Sequence, residues 1–233
     1  MSLHFERETE KLKKNILSLS ALVEETVWQA VKSVKERDAS LASWVINIDS
    51  EIDQREVDIE EECLKVLALY QPVAQDLRFI VAVLKINQEL ERIGDATVNI
   101  AERSRMLAKE ERIPIPFDFA TMADSVQNML RRSLDSLVNL DSKLAYAVIQ
   151  SDEQVDTLNR EMYDRVTAAL REHPDRADSL IHLLGVARHL ERIGDYACNI
   201  GEDVIYMIEG RIIRHTKDKS GAHAVEPLQP RGI

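Results

Sequence analysis

Apolar positions recur every three or four residues over long stretches of this chain. From residue 12 to 34, Leu12, Ile16, Leu19, Val23, Val27, Ala30 and Val34 trace one face of a helix. A polar break follows at residues 35–38. Asp38, standing before ASLASWV, predicts an N-cap for a second helix that runs to about Tyr70. Pro72 interrupts the pattern where a third helix can begin, and that helix is expected over residues 73–109.

The plan then restarts. IPIPF at 113–117 places prolines at 114 and 116, which a helix interior excludes. A fourth helix is expected over residues 117–139. Asp141 stands before SKLAYAV as Asp38 stood before ASLASWV, predicting a fifth helix to about Glu172. HPD at 173–175 takes the place of Gln71 and Pro72, and a sixth helix ends near Gly210. Some sequence is written twice. ERIGD occupies 91–95 and again 191–195, followed by Asn99 and Asn199, Ile100 and Ile200, Glu102 and Glu202. Upstream, VINIDSEID aligns with VIQSDEQVD and pairs Asp49 with Asp152 and Asp53 with Asp156. The expected architecture is therefore all-α: two tandem antiparallel three-helix bundles related by internal duplication. The first repeat covers 1–112, a Pro-rich linker 113–117, the second repeat 118–210, and 211–233 forms a mobile tail.

Composition agrees with helices. Aromatic residues make up 5% of the 233 residues and glycines number 7, few for a sheet protein. The formal net charge of −11 argues against a nucleic-acid partner. No apolar run approaches the roughly 18 residues of a membrane span, and MSLHFERETEKLKK has no signal-peptide core. A cytoplasmic protein with reduced thiols follows, its Cys63 and Cys198 small buried residues.

The acidic pattern is the candidate chemistry. With Glu91 at zero on a helical wheel, Asp95, Asn99 and Glu102 fall at about 40°, 80° and 20°. Glu191, Asp195, Asn199 and Glu202 repeat the stripe. On the preceding helix, Asp49, Asp53, Glu56 and Glu60 step likewise, with Asp152, Asp156, Asn159 and Tyr163 in the second copy. Acid–acid pairs at i, i+4 occur at 49/53, 91/95, 152/156 and 191/195, although such pairs repel by a few tenths of a kcal/mol. Gly94 and Gly194 each weaken their helix by about 1 kcal/mol relative to alanine, which a close approach by a neighbour or ligand would offset. Most acidic helix stripes are simply solvated. Clustered carboxylates, repeated within one chain, favour a bound cation with oxygen ligands. Arg92 and Arg192 are expected in salt bridges or helix-surface contacts, and Arg188 places a positive charge beside the second stripe. His182 and His189 read as core or boundary residues, and Trp28 and Trp44 as packing. No phosphate loop, dinucleotide loop, GxSxG or HExxH occurs.

These residues carry a resemblance. QPVAQDLRFIVAVLKINQELERIGDATVNIAE and HLERIGDYACNIGE, each after a D-x-x-x-D helix, are similar to the PhoU family over about residues 5–210. The resemblance implies two three-helix bundles, no enzymatic activity, and a regulator of phosphate uptake and phosphate-starvation signalling. It implies partners: the ATP-binding subunit of the phosphate ABC transporter, a phosphate-sensing histidine kinase and a second copy in a homodimer, with membrane contact only through partners. It also implies multinuclear iron or zinc, with manganese or magnesium as further candidates. The ligand motifs become Asp49/Asp53, Glu91/Asp95, Asp152/Asp156 and Glu191/Asp195, with Asn99, Glu102, Asn199 and Glu202 as neighbours. The second repeat departs from the pattern. It has HPDRADSLIHLL in place of P-x-x-x-D-L-R, and Asn159 and Tyr163 in place of Glu56 and Glu60, so its site is expected to be the poorer one. The alternative reading is a metal-dependent helical-bundle enzyme or an iron-handling protein.

Overall fold

Two short turns set the plan of each half. Between α1 (Leu3–Glu36) and α2 (Ala39–Tyr70), Arg37 adopts a left-handed conformation with φ 61°. The N–H of Asp38 then reaches back to the Ser33 carbonyl at 3.0 Å. The Asp38 carboxylate accepts from the Ser40 and Leu41 amides, both at 2.9 Å, and so satisfies two orphan donors of α2. The second half repeats the device between α4 (Phe119–Asn139) and α5 (Ser142–Glu172). Leu140 has φ 51°, the Asp141 amide bonds the Ser136 carbonyl at 2.9 Å, and Asp141 caps Lys143 and Leu144.

The computed structural model describes residues 3–213, so most of the predicted tail lies outside the described residues. α3 spans Ala74–Leu107. A short 3-10 turn, Pro174–Arg176, precedes α6, Ala177–Glu209. α1 starts nine residues earlier than its apolar stripe, because Phe5 is buried and packs edge-on against Tyr70 at the end of α2. α4 starts at Phe119 because the carboxylate of Asp118 caps the Thr121 amide at 3.1 Å. α6 ends where Gly210 turns left-handed, at φ 71°.

Within each repeat the three helices pack against one another, α1 with α2 and α3, and α4 with α5 and α6. The two bundles then join through α3 and α6, the most extensively packed pair in the molecule, so a single apolar core runs through both halves. These two helices are antiparallel. Lys85 faces Asp203, Glu89 faces Asn199, Arg103 faces Gly185 and Arg78 faces Gly210. Because α3 and α6 are offset by one hundred residues in sequence, each such pair has a counterpart across the junction related by an approximate twofold rotation. Trp28 and Trp44 were expected in packing but are 49% and 40% exposed. On α1 the seam is filled by Val23, Val27, Ala30 and Val31, which leaves Trp28 one step outside it, under the Lys32 ammonium.

Candidate metal-binding site

In the second repeat, α5 carries Asp152 and Asp156 one turn apart, and α6 brings Asp195 alongside. One carboxylate oxygen from each lies within 4.8 Å of the other two. Among the described residues this is where three such ligand atoms converge. Glu191, one turn before Asp195, belongs to the same patch. Its carboxyl is pushed above the usual range by burial and then by Asp156 and Asp152, against the opposing pull of Arg188 and Arg192. Cys198 lies beneath. Burial, then Asp152, raise its thiol far above the ordinary value, so the sulfur is held protonated.

The first repeat builds the same face from α2 and α3. Asp49 is pushed up to about 6 by burial, then by Asp53 on its own helix and Asp95 across from it. Glu91 is raised by burial, then by Asp95, Glu56 and Asp53, with Arg92 opposing. Glu56 is raised by burial, then by Glu60 and Asp53. The two acidic stripes therefore face each other within each repeat, and both hold carboxylates that ionise against their surroundings. Gly94 lies at this contact. A Cβ there would stand 3.3 Å from Ile52 Cγ2 and 3.5 Å from Asp49 Oδ1, so the missing side chain lets α2 approach α3. Gly194 does not share the role. Its nearest neighbours, Val155 and Met129, would sit at an ordinary 3.6 and 3.8 Å from a Cβ.

The outlying members of the predicted set point elsewhere. Asn99 donates to the Asp95 carbonyl on its own helix at 2.7 Å. Asn199 donates to Glu89 Oε2 across the repeat junction at 3.1 Å. Glu102 lines a groove with Asn99, Arg103 and His182, whereas Glu202 lies near Cys198. The arginines follow the sequence expectation. Arg92 Nη1 pairs with Glu89 at 3.1 Å, and Arg192 donates to the Tyr196 hydroxyl at 2.8 Å. Neither forms an ion pair with the stripe carboxylates. The second repeat was expected to be the poorer, yet the three converging carboxylates are there. Asn159 and Tyr163 sit further along α5, and Tyr163 is 60% exposed.

An all-carboxylate set of this closeness suits a hard or borderline cation, such as magnesium, manganese, iron or zinc. The donors present fit that group. Their mutual repulsion is what a bound cation would relieve.

The sequence profile described as the PhoU domain matches this chain twice, at residues 16–104 and 119–204. The chain belongs to the PhoU family. A phosphate-specific transport system accessory protein PhoU homolog of Pseudomonas putida is 37% identical over 216 residues, covering 92% of this chain and 84% of the relative. Its namesake in Aquifex aeolicus is 38% identical over 209 residues, covering 90% and 95%. The crystal structure of PhoU from Pseudomonas aeruginosa superposes with a TM-score of 0.87 at 36% identity, covering 89% of this chain and all of that one. That of the phosphate transport system regulatory protein PhoU from Streptococcus pneumoniae gives 0.81 at 28% identity, covering 89% and 98%. PhoU proteins are named as accessory or regulatory proteins and not as enzymes. No helix among the described residues is long and apolar enough to cross a membrane.

The PhoU fold also holds a polar set that the sequence reading missed, at the α3–α6 junction. Lys85 Nζ pairs with Asp203 at 3.1 Å and lies 5.2 Å from the Tyr206 ring centre; Asp203 is 1% exposed. Glu89, 6% exposed, is held by Arg92 and Asn199. The buried imidazole of His189 is depressed to about 4 by burial and then by Arg103, Arg192 and Arg188, so it is neutral. The available signal was Lys85 and Asp203 as single charges set into otherwise apolar helix faces.

Proposed function

We propose that this chain is a cytoplasmic accessory regulator of phosphate-specific transport. In this reading it links the ATP-binding subunit of the phosphate ABC transporter to a phosphate-sensing histidine kinase, acts as a homodimer, and represses the starvation response when phosphate is plentiful. The observation that carries the reading is the double family match across nearly the whole described chain, to relatives named for phosphate-specific transport. Metal belongs to the same proposal. Asp152, Asp156, Glu191 and Asp195 would hold iron or zinc in the second repeat, and Asp49, Asp53, Glu91 and Asp95 in the first. A bound cation supplies positive charge that offsets carboxylate repulsion and ties α2 to α3 and α5 to α6.

Two measurements test it. Deletion of the gene is expected to derepress phosphate-starvation reporters in high phosphate, with the wild-type chain restoring repression; unchanged reporters would refute the regulatory role. Elemental analysis of purified protein is expected to find stoichiometric iron or zinc. The Asp152→Asn/Asp195→Asn variant, verified as helical, is expected to lose the second-repeat share. Equal metal in both proteins would remove these residues from the ligand set.

A further inference from the structure

The α3–α6 junction treats its two halves differently. Where Lys85 meets Asp203, the twofold-related positions hold Gly185 and Arg103. A positive side chain stands at both, but only Lys85 has a carboxylate partner. Among the described residues no acid forms an ion pair with Arg103, and its Nε is buried without a hydrogen-bond partner. Gly185 makes the room for this guanidinium, since a Cβ there would fall 2.3 Å from Arg103 Cζ. One turn away along the junction, His182 Nδ1 is also buried without a partner. Arg103 and His182 line one groove of about 320 Å³, with Arg105, Asn99, Met106 and the single acid Glu102. Buried polar atoms without partners are costly, about 1–3 kcal/mol each, and they mark places where a solvent molecule or an ion completes the network. Beyond its buried Nε, the Arg103 guanidinium keeps two terminal Nη groups, a planar pair that fits two oxygens of a tetrahedral anion.

We propose that this groove is a binding site for a small tetrahedral oxyanion of the phosphate class, held by Arg103 and positioned by Gly185, with His182 and Arg105 on its rim. The groove shares Asn99 and Glu102 with the predicted stripe but none of the carboxylates proposed above as metal ligands, and it needs no metal, so it stands or falls independently of them. Glu102 lies on the same rim and opposes the anion, so binding in the millimolar to micromolar range is the expectation.

The test uses full-length, chelator-treated protein and inorganic phosphate in isothermal titration calorimetry at constant ionic strength. The parent is expected to bind. Arg103→Gln is expected to weaken binding about tenfold or more, the loss of one charge-assisted contact, with thermal stability close to the parent's. Gly185→Ala, whose new methyl overlaps the guanidinium, is expected to weaken it several-fold while staying folded. Asp195→Asn is expected to bind like the parent, which separates this groove from the stripes. Absence of phosphate binding by the parent at millimolar concentration overturns the proposal, as does unchanged affinity in folded Arg103→Gln. Should that variant fail to fold, unchanged affinity in Gly185→Ala overturns it instead.

Discussion

The same substitution made in the two copies of ERIGD should give different results. Gly94 and Gly194 sit mid-helix, where alanine is favoured by about 1 kcal/mol on backbone grounds alone. At Gly194 the new methyl would find Val155 at 3.6 Å and Met129 at 3.8 Å, which is ordinary contact. Gly194→Ala is therefore expected to stabilise the protein by roughly 0.5–1 kcal/mol, raising Tm by about 2–4 °C per kcal/mol for a chain of this size. At Gly94 the methyl would press on Ile52 Cγ2 at 3.3 Å and Cδ1 at 3.5 Å, with the Asp49 carboxylate also at 3.5 Å. Ile52 is fully buried, so α2 must shift or a rotamer must strain, at about 1–3 kcal/mol. The gain in propensity offsets part of that, leaving Gly94→Ala destabilising by about 0–2 kcal/mol. Paired urea titrations of the two single variants and the parent, in chelator, measure the difference. The expected gap between the variants is about 0.5–3 kcal/mol, with Gly94→Ala the less stable. Equal effects, or a more damaging Gly194→Ala, would refute the view that close α2–α3 approach is what the first glycine serves.

The junction and the acidic face give two more. Lys85→Met leaves the 1%-exposed Asp203 without its lysine and is expected to cost about 2–3 kcal/mol by urea unfolding, the low end for a broken buried pair because the lysine is partly in water. Adding Asp203→Leu should recover part of the loss; a single variant as stable as the parent would refute the pair's role. Asp49 titrates at about 6 in the folded state against 3.8 as its ordinary value, so the folded protein holds this proton more tightly and stability falls as pH rises between those values. In metal-free protein, Asp49→Asn should therefore gain about 1 kcal/mol at pH 7, after allowance for solvent screening, and nothing near pH 3.5. A gain that does not depend on pH would show that charge is not the cause.

Much of the fold was legible because its signals are local. Asp38 and Asp141 announced two helix starts, and both cap as their chemistry requires. Periodicity identified the buried face of α1, and the duplicated pentapeptide revealed the internal repeat. What stayed hidden depends on partners that lie far apart in sequence. A helical wheel shows that a face is apolar but not which helix covers it, so the merger of two bundles through α3 and α6 could not be read. For the same reason the burial of Glu89 and the pairing of Lys85 with Asp203 could not be read, and Gly194 was grouped with Gly94 although only Gly94 meets a tight neighbour. The wheel placed Asn99 and Glu102 on the acidic stripe, yet a side chain is free to turn: Asn99 folds back onto its own helix.

The unequal junction also decides which halves can recognise each other. Suppose the first repeat met a copy of itself in the same antiparallel register. Lys85 would then face Arg103, two cations at a site where the intact chain sets a lysine against a carboxylate. Suppose instead the second repeat met its own copy. Asp203 would face Gly185, a buried acid opposite a residue with no side chain. Only the mixed pairing sets the Lys85 ammonium against a carboxylate. A duplication that began as two equivalent units has thus become directional, and each half now carries the lock for the other's key and not for its own.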